Sequence, residues 1–297
     1  MKCMDRSGNE IKGNDAQNKA LKFLYENRLG RIFLSQLIKP WVSKVSGVIL
    51  NSSCSRVLIA PFIKSNGIDM AEYEECSYAS YNDFFTRKIK MGCRRIDHQP
   101  NHLIAPCDGK LSIYPIHKDS TFLIKNTKYT LKDLLKNQKL ADHYENGLLL
   151  LFRLTVDDYH RYCYIDQGKK SKNYRIKGVF HTVNPLANDV VPVYKENTRE
   201  FSILNSENFG RMLMMEVGAM LVGKIVNHQG EAVVQRGEEK GRFEFGGSTI
   251  IVCLEKDRAV IDADIMYHSI NGIETRVKMG EKIGTGMNPK NTFSPTE

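Results

Sequence analysis

From about residue 103 onward the chain is a succession of short apolar and β-branched runs parted by Gly, Asn and Asp, and no run is followed by a long amphipathic helix. The clearest runs are residues 148–154, 174–183, 211–217, 221–226 and 249–254. A doubly wound parallel sheet needs a helix between successive strands, because parallel neighbours are joined by crossovers. This stretch therefore predicts a mainly antiparallel sheet system.

The first hundred residues read differently. Leu21, Leu24, Tyr25, Leu29, Ile32 and Phe33 recur at three- and four-residue spacing with Lys19, Lys22, Arg28 and Arg31 between them, which predicts a basic amphipathic helix from residue 16 towards 49. Pro40 ends or kinks it, and Trp41, Val42, Val45 and Val48 begin a second amphipathic stretch. The expected fold class is α+β, with a basic helical region over residues 1–100 on a β-rich body over residues 101–297.

At 297 residues, 41% hydrophobic and 26% charged, the chain can bury a large core and is not of the disordered class. No stretch approaches the ~18 apolar residues of a spanning helix. Nor does Met1-Lys2-Cys3-Met4-Asp5-Arg6 lead into the apolar core of a signal peptide. Seven cysteines, at 3, 54, 76, 93, 107, 163 and 253, contain no C-x-x-C and fit a reducing, cytosolic compartment better than a disulfide scaffold. Most of the net charge of +9 lies at the front, where residues 1–64 hold eleven Lys or Arg against four Asp or Glu.

Four short motifs are candidates for chemistry. In Phe243-Glu244-Phe245-Gly246-Gly247-Ser248-Thr249, two glycines and a serine precede a β-branched strand. The plain reading is a hairpin turn. The chemical reading is that the Gly247 carbonyl, unshielded by a Cβ, is open to the Ser248 hydroxyl. Attack there moves the acyl group from nitrogen to oxygen, elimination of the ester leaves dehydroalanine, and hydrolysis releases ammonia to give a pyruvoyl group and a cut chain. A hydrolase elbow, G-x-S-x-G, would need glycine at 250, where the chain has Ile250.

In Val156-Asp157-Asp158-Tyr159-His160-Arg161-Tyr162-Cys163, His160 is a candidate base for a serine hydroxyl, or a structural histidine at a strand end. As metal ligands His160 and Cys163 lack a second pair, so no metal site is expected. Ala105-Pro106-Cys107-Asp108-Gly109 is a turn whose Asp108 could orient an imidazole, as in a Ser-His-Asp arrangement. In Val179-Phe180-His181-Thr182-Val183-Asn184-Pro185, His181 either lines a substrate pocket or sits in the sheet.

Taken in order, these residues resemble the phosphatidylserine decarboxylase proenzymes. The likeness runs over 75–284 and rests on Tyr81-Asn82-Asp83-Phe84-Phe85-Thr86-Arg87-Lys88, residues 105–109, Asp158-Tyr159-His160-Arg161, Val183-Asn184-Pro185, Val217-Gly218-Ala219, Lys240-Gly241, residues 245–249 and Gly272-Ile273-Glu274-Thr275. In that family the serine of the cleavage motif becomes a pyruvoyl group, and an aspartate and a histidine act with it during self-cleavage. Carried over by motif, the scissile bond is Gly247-Ser248 and the residues are Ser248, Asp108 and His160. Many relatives read Tyr-His-Arg-x-His, whereas Cys163 stands at the second histidine's place here. Either His160 takes over the role of base or the Cys163 thiolate does, and His160 is preferred. Gly246 stands where leucine is most frequent.

The resemblance implies decarboxylation of phosphatidylserine to phosphatidylethanolamine by a pyruvoyl group derived from Ser248, with no metal and with residues 1–247 and 248–297 staying together after the cut. His181 is the candidate substrate contact. The basic helix then suits peripheral attachment to an anionic membrane surface at the cytoplasmic face of the cell membrane, against the alternative that it packs on the β body. A homo-oligomer is left open. Competing functions are a pyruvoyl decarboxylase of a soluble amino acid, a serine hydrolase with Ser248 intact, and a lipid- or nucleic-acid-binding module. Nucleic acid is not expected as a partner, because the basic excess lies on helices rather than beside aromatics on a sheet face.

Overall fold

A computed structural model describes residues 2–11, 22–124, 127–188, 191–219, 224–244 and 248–287. Its centre is a ten-stranded sheet in the order Cys3–Met4, Glu274–Val277, Gly109–Pro115, Leu148–Leu154, Ser248–Leu254, Gly210–Val217, Arg199–Ser206, Gly168–Lys170 and Ala232–Val234, with Tyr174–Ile176 also paired to Arg199–Ser206. Every pairing is antiparallel except that of Cys3–Met4 with Glu274–Val277. The α+β expectation with a mainly antiparallel sheet holds. The helical front region nevertheless begins with an edge strand of this sheet, because Cys3 and Met4 pair with Glu274 and Thr275.

The middle strands are apolar on both faces because both faces are covered. Leu149 and Leu151, with Leu213, Met215, Ile251 and Cys253, meet a layer that includes Tyr25, Leu34, Phe122, Tyr129 and Leu134. Leu150, Phe152 and Leu154, with Met212, Met214, Ile250 and Val252, meet Leu103, Tyr162, Phe243 and Ile283. The second layer contains a three-stranded sheet, Lys224–Asn227, Glu239–Glu244 and Arg161–Cys163. Its middle strand bulges between Glu239 and Gly241. A Cβ on Gly241 would lie 2.2 Å from the Val226 carbonyl oxygen, so only glycine passes there.

Helices occupy the front of the chain. Asn27 caps Arg28–Leu37 by accepting from the Leu29 N–H, and Pro40 opens Pro40–Asn51 as its first residue, the position where its missing N–H costs nothing. Pro40 therefore separates two helices, as its place in the pattern predicts. Gly67, at φ +59°, ends Ile59–Asn66 in the left-handed conformation. Residues 12–21, where the amphipathic pattern begins, lie outside the described residues. Of the expected strand 174–183 only Tyr174–Ile176 forms, and of 221–226 the described part belongs to Lys224–Asn227.

Candidate active site

The register of the main sheet gathers the motifs at one end. Arg276, Lys110, Arg153, Thr249, Val217 and Arg199 lie side by side in one row across six strands. One residue beyond it, Ser248 stands opposite Leu154, and Gly109 opposite Val277. Side chains alternate along a strand, so Ser248 shares the face of Leu154 and Ile250, which is the face covered by the three-stranded sheet. Ser248 is fully buried, and its Oγ has no hydrogen-bond partner among the described residues. Gly246 and Gly247, on the other side of the expected scissile bond, lie outside the described residues.

Both chain paths from Ser248 lead to His160. Six residues after Leu154, His160 precedes the strand Arg161–Cys163. Five residues before Ser248, the Phe243 N–H donates to the His160 carbonyl at 2.9 Å. The imidazole is buried, with Phe85 against it at 4.3 Å between ring centroids. Its Nδ1 lies 2.9 Å from the Asp158 carbonyl oxygen. A carbonyl only accepts, so Nδ1 carries the hydrogen and the neutral ring keeps its lone pair on Nε2. That Nε2 is buried without a partner among the described residues. Burial pulls the imidazole down to about 4, an effect that the nearby Asp158 opposes and Arg87 reinforces.

The Tyr81–Lys88 motif supplies this burial. Ser80 caps the short helix Tyr81–Phe85. The Thr86 carbonyl then accepts from Arg161 Nε at 2.9 Å, and buried Arg87 stacks on Tyr73 and Phe84. On its other side the same helix is held by the front of the chain: Asn82 Nδ2 donates to Asn51 Oδ1, and the Tyr81 N–H to Ser55 Oγ, both at 2.8 Å.

Asp108 lies at the same sheet end, and its carboxylate is engaged by groups other than His160. Its carboxylate accepts from Arg94 Nε at 2.8 and 3.1 Å, from Arg94 Nη2 at 2.5 Å and from the Met279 N–H at 2.8 Å. Arg94 also pairs with Glu72 at 3.0 Å. Cys163 is equally far from a base. Its thiol is buried, and burial pushes it up to about 12, with Asp108 adding to the rise, so it stays protonated at neutral pH.

His181 is held beyond the same end of the row, through Asn197 and Gly218. The Asn197 side chain accepts from the His181 N–H and donates to the carbonyls of His181 and Gly218, which ties His181 to the end of the strand next to Ser248–Leu254. Its ring nitrogens face Tyr25 Oη at 3.2 Å and Glu196 at 3.7 Å. A substrate reaching this ring must displace Tyr25 or Glu196. Burial lowers its pKa, with Glu196 opposing.

Three buried arrangements here were not assigned from the sequence. Lys110 Nζ donates to Asp158 at 2.7 Å and to Thr155 Oγ1. Arg153 makes a two-point pair with Glu274. Lys240, carried inward by the bulge, donates to Glu216 and Asn227, both at 2.8 Å, and neither Lys240 nor Glu216 is exposed. Glu216 faces Ile250, so it is the diagonal neighbour of Ser248. Burial raises the Glu216 carboxyl, and Lys240 counters it. Among the described residues no group of three or more His, Cys, Asp or Glu is arranged to hold a metal.

The comparison with known proteins decides the family. A match to phosphatidylserine decarboxylase spans residues 81–285. The chain belongs to the phosphatidylserine decarboxylase family. It is 48% identical to phosphatidylserine decarboxylase proenzyme 2 of Clostridium acetobutylicum over 90% of this chain and 92% of that one. It is 39% identical to the proenzyme of Fusobacterium nucleatum over 96% and 97% of the two chains. With the Clostridium perfringens proenzyme it shares 41% over 90% and 92%. The protein is therefore a carboxy-lyase whose substrate is phosphatidylserine, and neither a soluble-substrate decarboxylase nor a serine hydrolase is favoured. The family is pyruvoyl-dependent, and position 248 fits such a group: it is a buried serine whose hydroxyl has no hydrogen-bond partner among the described residues.

Proposed function

We propose that His160 activates Ser248 for cleavage of the Gly247–Ser248 bond, and that the resulting group at position 248 decarboxylates phosphatidylserine at a membrane surface. The observation carrying this reading is a pair of buried atoms at one sheet end, Ser248 Oγ and His160 Nε2, that have no hydrogen-bond partner among the described residues. A burial that leaves an acceptor nitrogen and a hydroxyl unengaged costs stability, and such exceptions mark working groups. The neutral ring, bare at Nε2, is in the form that takes a proton. Ser248 then closes on the Gly247 carbonyl, the acyl group passes from nitrogen to oxygen, and elimination and hydrolysis leave a pyruvoyl group.

A pyruvoyl group supplies an electron-withdrawing carbonyl that stabilises the charge left behind when carbon dioxide departs. Leu154, opposite position 248, and Ile250, next along the same face, would line such a group, and Glu216, the diagonal neighbour of position 248, holds the buried ammonium of Lys240. Dry surroundings strengthen every charge interaction made there.

Peripheral attachment to an anionic membrane, at the cytoplasmic face, is the accompanying reading. It is supported by apolar side chains that the fold leaves outside. Leu29, Phe33 and Val48 are 64%, 63% and 74% exposed, and Ile32, Trp41, Val45, Ile49 and Val57 are exposed as well. Arg28, Arg31, Lys39, Lys44 and Arg56 lie among them. Among the described residues no single helix is long and apolar enough to cross a membrane, and the one pair that passes jointly, Trp41–Asn51 with Ser53–Asn66, is bent by 84°. A bent, basic, apolar pair suits the headgroup boundary of one leaflet.

The test is activity on phosphatidylserine vesicles with Ser248→Ala beside wild type. An unprocessed and inactive Ser248→Ala chain is expected, and decarboxylation by that variant would refute the reading.

A further inference from the structure

A base that must take a proton from serine needs its ring fixed and its new charge compensated, and Asp108 does neither here by contact, being held by Arg94 and the Met279 N–H. The acid behind His160 lies two residues before it. Asp158 is buried, and its Oδ2 accepts from Lys110 Nζ at 2.7 Å, from the Thr155 N–H at 2.7 Å and from Thr155 Oγ1 at 2.9 Å. The Asp158 N–H returns to the Thr155 carbonyl at 2.9 Å. The turn Thr155–Asp158 is thus closed by main chain and carboxylate together, and Lys110, from the neighbouring strand, pins it to the sheet. The outcome is a fixed direction for the Asp158 carbonyl, which takes the hydrogen of His160 Nδ1.

We infer that Asp158, anchored by Lys110 and Thr155, is the positioning residue for His160: its carbonyl selects the tautomer that leaves Nε2 bare, and its carboxylate compensates the imidazolium formed when Ser248 is deprotonated. The arrangement differs from a Ser-His-Asp triad, where the carboxylate itself touches the ring. Here the carboxylate acts through the turn that it closes. The burial of the Asp158 carboxylate also explains why Lys110 is paired with it. Without a cation the carboxylate would be an uncompensated buried charge. Burial alone pushes the Asp158 carboxyl up, yet Lys110 and the Thr155 N–H hold it below its usual range, so it remains charged.

This inference rests on His160 being the base, and the experiment separates the two. Full-length chains are synthesised in a cell-free system, and self-cleavage is followed by intact mass for wild type, His160→Gln, Asp108→Asn, Asp158→Asn and the double variant Lys110→Met/Asp158→Leu. In parallel, ¹⁵N-histidine spectra are recorded on unprocessed Ser248→Ala chains carrying the same changes. The expected result is cleavage slowed by about tenfold or more in Asp158→Asn. The double variant, which leaves no unpaired buried charge, should lose the Nδ1–H tautomer signal of His160 while its thermal midpoint stays near that of wild type. Asp158→Asn, nearly isosteric, keeps the test valid if the double variant does not fold. Wild-type cleavage in Asp158→Asn while His160→Gln is blocked would overturn the role of Asp158 alone. Normal cleavage in His160→Gln would overturn the reading of His160 as base, and this inference with it.

Discussion

Arg94 grips Asp108 through both carboxylate oxygens, with Nε at 2.8 and 3.1 Å and Nη2 at 2.5 Å. The Arg94 side chain is 4% exposed, so the pair is desolvated on both sides. Two-point arginine–carboxylate geometry fixes orientation as well as charge. Asp108 thereby holds the turn before Gly109–Pro115 against the Met279 main chain, at the sheet end that carries Ser248.

Arg94→Ala should therefore behave like Asp108→Ala. Removing one partner strands the other charge in the interior, at a cost of roughly 3–5 kcal/mol. Both variants should show a lowered thermal midpoint and slowed self-cleavage, and the double variant should be less damaged than the two effects added. Additive losses in a double-mutant cycle would show that the two residues act independently.

Cys163→Ala should mature at the wild-type rate. The thiol is buried and pushed up to about 12, so it supplies no thiolate at neutral pH. Intact mass after synthesis measures this directly. A block in Cys163→Ala with normal maturation of His160→Ala would transfer the base to the thiol.

The pH dependence of self-cleavage should be shallow. With His160 drawn down from 6.5 to about 4 by burial, the base stays unprotonated at any pH above about 5, so the cleavage rate should be nearly flat from pH 8 to pH 5.5. A fall centred near 6.5 would contradict that environment. The linked effect on stability has a definite sign. The unfolded chain binds the proton at the higher pKa, so the folded state is favoured fully above 6.5 and loses about 3 kcal/mol as the pH falls towards 4. Urea midpoints across that window should fall with falling pH, and less so in His160→Gln.

Membrane attachment through the front helices predicts that Phe33→Glu or Val48→Glu weakens binding to anionic vesicles by about tenfold each. Both side chains are exposed, so self-cleavage should be unaffected. Sedimentation with phosphatidylglycerol vesicles reads the first effect and intact mass the second. Unchanged binding in both variants would place the lipid contact elsewhere on the molecule.

What the sequence revealed follows from what a side-chain pattern can encode. Strands Leu148–Leu154, Gly210–Val217 and Ser248–Leu254 are buried on both faces, so their apolar runs are unmistakable. Beyond Ile176, the irregularity of residues 177–183 is not legible, because what holds them is a single bridge between Val179 and Asn197 together with the side-chain amide of Asn197. The motif around Asp108 was visible but its partner was not, since Arg94 fourteen residues earlier forms no periodic pattern with it. Asp158 was present in a quoted motif, yet its bond to His160 runs through a main-chain carbonyl, a group that every residue carries. The Lys240–Glu216 pair joins two sheets, and only the stacking of those sheets brings it together.

The central claim is that the chain cuts itself before Ser248 and carries a pyruvoyl group there. Its most direct test is the intact mass of active, purified protein before and after borohydride reduction. Two chains are expected, residues 1–247 and a second chain starting at position 248, and the second gains two hydrogen atoms when its carbonyl is reduced. A single uncleaved chain with a free Ser248 hydroxyl in active protein would contradict it.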